Sequence, residues 1–179
     1  MTEFAFGGVL SREQIEALLE QDPPLLDGLV DRDTQLQPNG VDLTLDTVSG
    51  FNGPGTLTLD NANRRLPGTQ QHPFDPDQQI YLSPGCYEVR FNETINLPAD
   101  CMAYTRPRSS LLRSGVALHT AVWDAGYTGR GVALLVVYNT HGFRLEHNAR
   151  IAQMVFHHLG AATGEGYQGI YAGEGRRPS

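Results

Sequence analysis

The chain has 179 residues, of which 40% are hydrophobic and 18% are charged. This length and balance exclude global disorder and predict a single domain, residues 1–179, with a buried core. The net charge is −7 and all 13 basic residues are arginine, which argues against a nucleic-acid surface because binding to a phosphate backbone needs clustered cations. No apolar run approaches the ~20 residues of a membrane span.

The first predicted element is a helix in the N-terminal segment, residues 1–30. Ser11 is expected to be the N-cap and Gln14 the third residue of the helix, the pattern of a capping box. Pro23-Pro24 is expected to end the helix. An apolar stripe at helical spacing lies between these signals, at Ile15, Leu18 and Leu19.

From Gln35 onward, short runs of alternating hydrophobicity lie between Gly, Pro, Asn and Asp. Many short strands with frequent turns and no second strong helix predict a mainly β fold, a sandwich or a barrel. Residues 61–79 are expected to form a long loop, and the Gly-rich residues 160–179 a flexible C-terminal tail. The predicted strands are 41–45, 56–59, 80–82, 86–91, 102–104, 131–138, 142–145 and 151–157.

Metal-ligating residue types are sparse. Cys86 and Cys101 are too few for a tetrahedral site, and we expect two isolated buried thiols, although pairing as a disulfide stays open. The six histidines form no ligand set, so no metal bound directly by the protein is predicted. Residues 1–8, MTEFAFGG, lack the basic and apolar regions of a signal peptide, and we therefore expect a cytoplasmic protein.

Residues 106–110, Arg-Pro-Arg-Ser-Ser, offer guanidinium groups, two hydroxyls and backbone N–H donors within a short distance. If residues 111–115 form a helical turn, its N-terminus adds further N–H donors towards an anion. Arginine and backbone amides can bind a small phosphate ligand even in an acidic protein. Alone, the run is equally typical of a surface turn.

Asp124 lies in the run Ala-Val-Trp-Asp-Ala-Gly-Tyr, residues 121–127. Its hydrophobic neighbours are expected to leave the carboxylate partly buried, where it could take a proton from a water molecule. The alternative is a β-hairpin turn in which the aspartate bonds its own backbone. Tyr127 would either stack on a sugar or base or fill the core.

Residues 150–154, Arg-Ile-Ala-Gln-Met, form a predicted strand. Alternation places Arg150, Ala152 and Met154 on one face, and Ile151 and Gln153 on the other. A glutamine on an otherwise apolar strand needs a hydrogen-bond partner, which a ligand, the backbone or a water molecule can supply.

Five runs, in this order, resemble the successive motifs of the dUTPase and dCTP deaminase superfamily: PNGVDLTL, RPRSSLLRSG, VWDAGYTGR, RIAQMVF and YQGIYAGE. The resemblance extends from Gln35 to nearly the end of the chain. The capping-box helix is similar to the start of dCTP deaminases and their archaeal-type dUTPase relatives. The resemblance implies a distorted, jelly-roll-like β-barrel, a homotrimer, and active sites at the subunit interfaces.

The resemblance also implies roles for individual residues. Asp124 would orient or deprotonate the attacking water, and Tyr127 would back the deoxyribose and exclude a 2′-hydroxyl. Residues 117–128 would form a hairpin whose backbone reads the pyrimidine, and the tail would close over the nucleotide. Mg²⁺ would be bound through the triphosphate. The implied substrate-binding residues are Arg108, Ser109, Ser110, Arg113, Gln153, Tyr167 and Gln168.

One position chooses between the two enzymes of the superfamily. Deaminases are expected to carry a glutamate where this chain has Leu134, ten residues after Asp124, and no acid lies between Arg130 and Gly142. A leucine cannot carry protons, so deamination loses its general acid and base. Gly166 replaces an expected phosphate-binding lysine, a role that Arg176 or Arg177 in the tail could share.

The resemblance therefore implies a dUTP diphosphatase, which releases dUMP and pyrophosphate by water attack on the α-phosphorus with Mg²⁺. Two alternatives stay open. One is a dCTP deaminase or a bifunctional deaminase and dUTPase. The other is a non-catalytic nucleotide-binding regulator that has kept the fold and lost turnover.

Overall fold

The computed structural model describes residues 8–175. Strands dominate this part of the chain, which confirms the mainly β prediction. The helices are α1 (Arg12–Leu19), α2 (Arg32–Gln35) and α3 (Ser109–Arg113), and a 3₁₀ turn spans Asn61–Asn63. The strands are β1 (Leu26–Asp27), β2 (Leu36–Gln37), β3 (Gly40–Asn52), β4 (Gly68–His72), β5 (Gln79–Leu82), β6 (Gly85–Phe91), β7 (Thr94–Asn96), β8 (Cys101–Pro107), β9 (Val116–His119), β10 (Thr128–Gly129), β11 (Val132–Val137), β12 (Phe143–Glu146) and β13 (Arg150–His158).

Eight antiparallel strands form one sheet that curls into a nearly closed barrel, as the resemblance implied. Six of them run in the order β8-β13-β3-β6-β11-β9, and β2 and β4 each pair with β3. One smaller sheet joins β1, β7 and β10, and another joins β5 and β12. The sheets enclose a core whose fully buried members include Val41, Leu43, Leu45, Val89, Phe91, Leu135, Met154 and Phe156.

The helix α1 forms as the sequence predicts because Ser11 and Gln14 close a capping box. The Ser11 N–H donates to Gln14 Oε1 at 2.8 Å, and the Gln14 N–H donates to Ser11 Oγ at 3.4 Å. These bonds satisfy donors that a helix N-terminus otherwise leaves unpaired. Ile15 is fully buried against the barrel. The helix ends at Leu19, before the prolines rather than at them.

Residues 56–59 were a predicted strand, and this prediction is wrong. Leu57 and Leu59 are 79% and 107% exposed, and the segment makes only an isolated bridge from Thr56 to Arg65. Alternating hydrophobicity favours a strand only where one face is covered. In the described residues, neither leucine is part of the buried core.

The predicted loop 61–79 contains a strand, β4, so this prediction is partly wrong. β4 pairs with residues 48–52 of β3. Four of its five residues are exposed. Its sequence, GTQQH, shows no alternation between apolar and polar positions, and the sequence pattern therefore did not predict a strand. The backbone of β3 supplies the hydrogen bonds that make this segment a strand.

The long strand β3 lies between β13 and β6, and irregularities mark both pairings. The register shifts between Leu45 and Thr47 against β6, and between Arg150 and Ala152 of β13 against β3. Such an irregularity reverses the inside–outside order of the residues around it. Ile151 and Ala152 are therefore both buried. The alternation predicted for residues 150–154 is wrong at Arg150 and Ile151, whereas Ala152, Gln153 and Met154 alternate as predicted.

Both cysteines are free thiols, but only Cys101 is buried. Cys86 is exposed because it lies on the face of β6 opposite to Val89 and Phe91, which point into the core. The prediction of a buried thiol is therefore wrong at Cys86. Across residues 8–175, no helix is long and apolar enough to cross a membrane.

Candidate active site

A cavity of about 410 Å³ opens beside the turn that carries Asp124. Three predicted site residues, Asp124, Tyr127 and Tyr167, line it together although 40 residues of sequence separate the last two. Residues from β3, β6, β9 and β11 complete the lining, with contributions from the β3–β4 connection and the tail. Further lining residues are Phe51, Leu66, Glu88, His119, Trp123, Leu134, Tyr171 and Glu174.

The tight turn around Asp124 alternates between core and solvent. The Tyr127 N–H donates to the Asp124 carbonyl at 3.1 Å, and Gly126 adopts a φ of +78°, which glycine tolerates without strain. Trp123, Ala125 and Tyr127 are buried, whereas Asp124 is exposed. The predicted partly buried carboxylate is therefore wrong, because the turn directs Asp124 to the solvent side of the cavity.

Residues 117–128 do not form the hairpin that the resemblance implied. β9 pairs with β11 in the large sheet, whereas β10 pairs with β7 in a small one. Between them, Trp123 makes an isolated backbone bridge with Ala103 of β8. The backbone of this segment therefore reaches the cavity as a loop between two sheets.

Three aromatic rings stand edge to face along the cavity. The ring centroids of Trp123 and Tyr127 lie 5.4 Å apart, and those of Tyr127 and Tyr167 also lie 5.4 Å apart, a favourable geometry for aromatic pairs. Burial, with smaller effects of Glu174 and Tyr167, raises the pKa of Tyr127 to about 12. The phenol is therefore protonated at neutral pH, and its ring belongs to both the core and the cavity wall.

The first part of the tail packs against the Asp124 turn. The Tyr167 N–H donates to the Ala125 carbonyl at 2.9 Å. A Cβ atom on Gly126 would lie only 2.8 Å from the Gly166 Cα, so this close approach depends on Gly126 having no side chain. Gln168 is exposed and, unlike Tyr167, is not among the described residues that line the cavity.

The end of the described tail is held by the strand that follows the turn. The Gly173 N–H donates to the Thr128 carbonyl at 2.7 Å, and the Arg130 N–H donates to the Glu174 carbonyl at 2.7 Å. The Glu174 carboxylate also lies 3.4 Å from Arg90 Nη2. Arg176 and Arg177, considered for phosphate contacts, lie outside the described residues.

The predicted Arg-Pro-Arg-Ser-Ser run, residues 106–110, and the next three residues form an extended segment followed by α3. Residues 106–113 together are called the anion-binding run. Arg108 is the N-cap of α3, and no side chain caps this helix. The helix begins at Ser109, two residues before the turn expected at 111–115. Ser109, Ser110 and Arg113 are consequently all in α3, and all three are exposed.

Arg108 is held by Asp42, an aspartate that is not among the predicted site residues. Asp42 Oδ2 lies 3.2 Å from Arg108 Nε and 3.4 Å from Arg150 Nη1. Burial raises the pKa of Asp42, and the two guanidinium groups act in the opposite direction. The available sequence signal was an acid among the apolar residues of 41–45. This buried carboxylate fixes the two arginines relative to each other.

Gln153 lies next to the anion-binding run. On β13 it stands directly opposite Asp42 of β3 and Arg106 of β8, so the three residues form one row across the sheet. A Cβ atom on Gly40 would lie 3.1 Å from Gln153 Nε2 and 2.4 Å from the Met154 carbonyl oxygen. The absence of a side chain at Gly40 therefore gives Gln153 its space.

Leu134 lies in a row of side chains that face the cavity. It stands opposite Glu88 of β6 and His119 of β9, and all three line the cavity. The stretch from Arg130 to Gly142 contains no acid, yet an acid from a neighbouring strand lies beside Leu134. Glu88 carries no signal of this role in the sequence, because strand pairing brings together residues that are distant in the chain.

The predicted residues fall into two groups. Asp124, Tyr127 and Tyr167 line the cavity, whereas Arg108 and Gln153 lie around Asp42. No residue of the anion-binding run, and no arginine at all, is among the described residues that line the cavity. Within residues 8–175, no group of three or more His, Cys, Asp or Glu is placed to hold a metal ion.

Comparison with known proteins agrees with this geometry. The family model for dCTP deaminase-like proteins matches residues 9–159. The chain is 46% identical to the "Probable deoxyuridine 5'-triphosphate nucleotidohydrolase" of Methanosarcina mazei over 166 residues, covering 93% of this chain and 97% of that protein. The protein of the same name from Archaeoglobus fulgidus is 44% identical over 166 residues, covering 93% and 96%.

A solved structure shows the same fold. The 2'-deoxycytidine 5'-triphosphate deaminase from Agrobacterium tumefaciens superposes with a TM-score of 0.64 at 27% identity, over 86% of this chain and 50% of that chain. The family match and the two relatives each span most of the barrel, including the strands that line the cavity. The chain therefore belongs to the dCTP deaminase-like family, and it is a hydrolase.

Proposed function

We propose that this enzyme hydrolyses dUTP to dUMP and pyrophosphate. The names of its archaeal relatives, which match over nearly their whole length, support this substrate. The observation that carries the proposal is the position of Asp124, an exposed carboxylate at a cavity in which Leu134 replaces the deaminase glutamate. The cavity thus retains the carboxylate for hydrolysis at Asp124 and lacks, at Leu134, the glutamate for deamination.

Asp124 is the general base in this proposal. Its carboxylate accepts a proton from a water molecule, whose oxygen attacks the α-phosphorus. The bond from the α-phosphorus to the bridging oxygen breaks, and pyrophosphate leaves. Tyr127 stays protonated at neutral pH, since its pKa is about 12, and its ring backs the deoxyribose so that a 2′-hydroxyl has no room.

The phosphates bind to the second group of residues: Arg108, Ser109, Ser110, Arg113 and Gln153. Because none of these described residues lines the cavity of its own chain, we propose that another subunit of a homotrimer supplies them. Mg²⁺, a hard cation that prefers oxygen ligands, would be held through the triphosphate and would neutralise charge on the phosphates. The described part of the tail, residues 160–175 with Tyr167 and Gln168, closes over the bound nucleotide.

The proposal is tested by incubating the protein with dUTP or dCTP in the presence of Mg²⁺. We expect pyrophosphate from dUTP and no ammonia from dCTP. Ammonia release from dCTP without pyrophosphate release from dUTP would overturn the proposal. Tight dUTP binding without any product would instead identify a nucleotide-binding regulator.

One observation favours deamination as a second candidate function. Glu88 stands opposite Leu134, and the Cβ atoms of such pairs lie about 4.5–5.5 Å apart. Glu88 is therefore a carboxylate beside the position of the lost glutamate, where it could move protons at a cytosine amine. If dCTP releases ammonia, the variant Glu88→Gln should abolish that release and leave dUTP hydrolysis in place. Ammonia release that persists in this variant would exclude Glu88 as the proton carrier.

A further inference from the structure

A buried polar network lies behind the part of β3 that carries Asp42. Its centre is Glu93, the residue immediately before β7, whose side chain is 0% exposed. The hydrogen-bond partners of this carboxylate are the neutral residues Gln35 and Thr44, each only 1% exposed. Burying a carboxylate is costly unless hydrogen bonds compensate, and donors from Gln35 and Thr44 reach both oxygens of Glu93.

Glu93 holds β3 at two points, one on each side of Leu43. Gln35 Nε2 donates to Glu93 Oε1 at 2.7 Å and to the Asp42 carbonyl oxygen at 2.8 Å. Thr44 donates twice, from its N–H to Glu93 Oε2 at 3.1 Å and from Oγ1 to Oε1 at 2.5 Å. The backbone on both sides of Leu43 is therefore fixed by one carboxylate, directly at Thr44 and through Gln35 at the Asp42 carbonyl.

The neighbouring Asn92 extends the network to the turn before Arg150. Asn92 Nδ2 donates to Thr44 Oγ1 and to Asn148 Oδ1, each at 2.9 Å. The Asn148 N–H donates to the Leu45 carbonyl at 2.8 Å, and Asn148 adopts a φ of +65°. The network thus also fixes the turn that leads into β13 and its first residue, Arg150.

Both ends of the network meet at the anion-binding run. The Asp42 carboxylate contacts Arg108 and Arg150. Arg150 Nη1 also donates to the Thr34 carbonyl in α2, the helix that ends at Gln35. Arg108 Nη1 in turn lies 3.5 Å from the Arg150 carbonyl oxygen. Each of these contacts thus comes from a segment that Glu93 or Asn92 holds.

We propose that Glu93 is a positioning residue for the anion-binding run. It touches no ligand. It holds Gln35 and Thr44, these hold the backbone around Asp42, and Asp42 aims Arg108 and Arg150 at a di- or triphosphate. As far as it concerns dUTP, this role rests on the function proposed above. Its direct consequence is a selective effect on ligand binding: Glu93 governs phosphate binding and leaves binding in the Asp124 cavity unchanged.

The test compares two ligands that probe the two groups of residues separately. Calorimetric titration with inorganic pyrophosphate reports on the anion-binding run, and titration with deoxyuridine reports on the cavity. The main variant is Glu93→Gln, whose amide NH₂ cannot accept a hydrogen bond from the Thr44 N–H. A milder variant, Thr44→Val, keeps the backbone and removes only the hydroxyl. The control is Val48→Ala, a truncation of a fully buried apolar residue on the same strand.

We expect Glu93→Gln and Thr44→Val to weaken pyrophosphate binding by about tenfold, as for one misplaced charge-assisted contact. Deoxyuridine binding should change by less than about twofold, as expected for independent sites. In dUTP hydrolysis, KM should rise more than kcat falls. Val48→Ala should lower the melting temperature without changing the ratio of the two affinities.

The positioning role would be overturned if Glu93→Gln and Thr44→Val weaken the binding of pyrophosphate and deoxyuridine equally. It would also be overturned if the ratio of the two affinities is the same in these variants as in Val48→Ala. If Glu93→Gln does not fold, the result for Thr44→Val decides. If the native protein does not bind pyrophosphate, both the phosphate-binding role of the anion-binding run and the positioning role of Glu93 are overturned. Selective loss of pyrophosphate binding in a protein that never hydrolyses dUTP would sustain the positioning role and reject the proposed function.

Discussion

At the scale of single residues, the backbone decides which side chains can act on a ligand. Asp124 is flanked by Trp123 and Ala125, and its sequence surroundings suggested burial. The turn points both neighbours into the core and leaves the carboxylate exposed. The sequence could identify Asp124 as a candidate base, but its exposure depends on a turn conformation that requires the positive φ of Gly126.

Replacing Asp124 with asparagine should remove the general base and preserve shape. We expect kcat for dUTP to fall by about 10²–10⁴-fold, the usual contribution of a general base. Binding of a non-hydrolysable dUTP analogue, measured by calorimetry, should stay close to that of the native protein. Asp77→Asn, at an exposed position in the β4–β5 connection, is the control and should keep full activity. Full activity of Asp124→Asn would disqualify Asp124 as the base.

The raised pKa of Tyr127 predicts a pH dependence of stability. Its value of about 12 in the folded protein lies above the ordinary value of 10, so folding favours the protonated phenol. This contribution is fully present below pH 10 and is lost as the pH rises from 10 to 12. Urea denaturation should show that the native protein loses stability relative to Tyr127→Phe across this interval. A constant difference between the two proteins would contradict the assignment.

At the scale of elements, the sequence was sufficient to predict those helices and strands that depend on residues close together in the chain. The capping box of α1 and most of the alternating strands were predictable, because a helix cap and one covered face leave a pattern in sequence. The strand β4 could not be predicted, because it forms through pairing with β3. The exposure of residues 56–59 could not be predicted either, because it follows from the lack of a covering element. Likewise, Glu88 and Leu134 become neighbours only through the pairing of β6 with β11.

The Asp124 turn and the tail should depend on Gly126. An alanine there would occupy a φ of +78° and place a Cβ 2.8 Å from the Gly166 Cα. We expect Gly126→Ala to lower stability by about 1–3 kcal/mol, the usual cost of such a backbone conformation, and to reduce kcat/KM for dUTP. Thermal melts and steady-state kinetics measure both effects.

Gly164→Ala is the matched control in the same tail, since a Cβ at Gly164 would meet nothing within 4 Å. It should leave both stability and kcat/KM near native values. Similar effects of the two substitutions would show that the contact between Gly126 and Gly166 is not what the turn requires.

At the scale of the whole molecule, the two groups of candidate residues pose the main question. The motifs in the sequence suggested one site, yet in a single chain the described residues of the anion-binding run lie outside the Asp124 cavity. The barrel itself could be predicted from composition and strand pattern. How the two groups combine could not, because contacts between subunits leave no periodic signal in one sequence.

Mixing two inactive variants tests whether the site forms between subunits. Asp124→Asn removes the base, and Arg108→Gln weakens phosphate binding but leaves Asp42 paired with Arg150. After refolding together in equal amounts, about a quarter of the interface sites in a random homo-oligomer should combine two native groups. The mixture should therefore recover dUTP hydrolysis. If the mixture recovers no dUTP hydrolysis, each chain builds its own complete site.

The central claim, water attack on the α-phosphorus of dUTP, is tested most directly by hydrolysis in ¹⁸O-labelled water with Mg²⁺. We predict one ¹⁸O atom in the phosphate of dUMP and none in pyrophosphate, measured by mass spectrometry of both products. Label in pyrophosphate, or the absence of both products, would contradict the account.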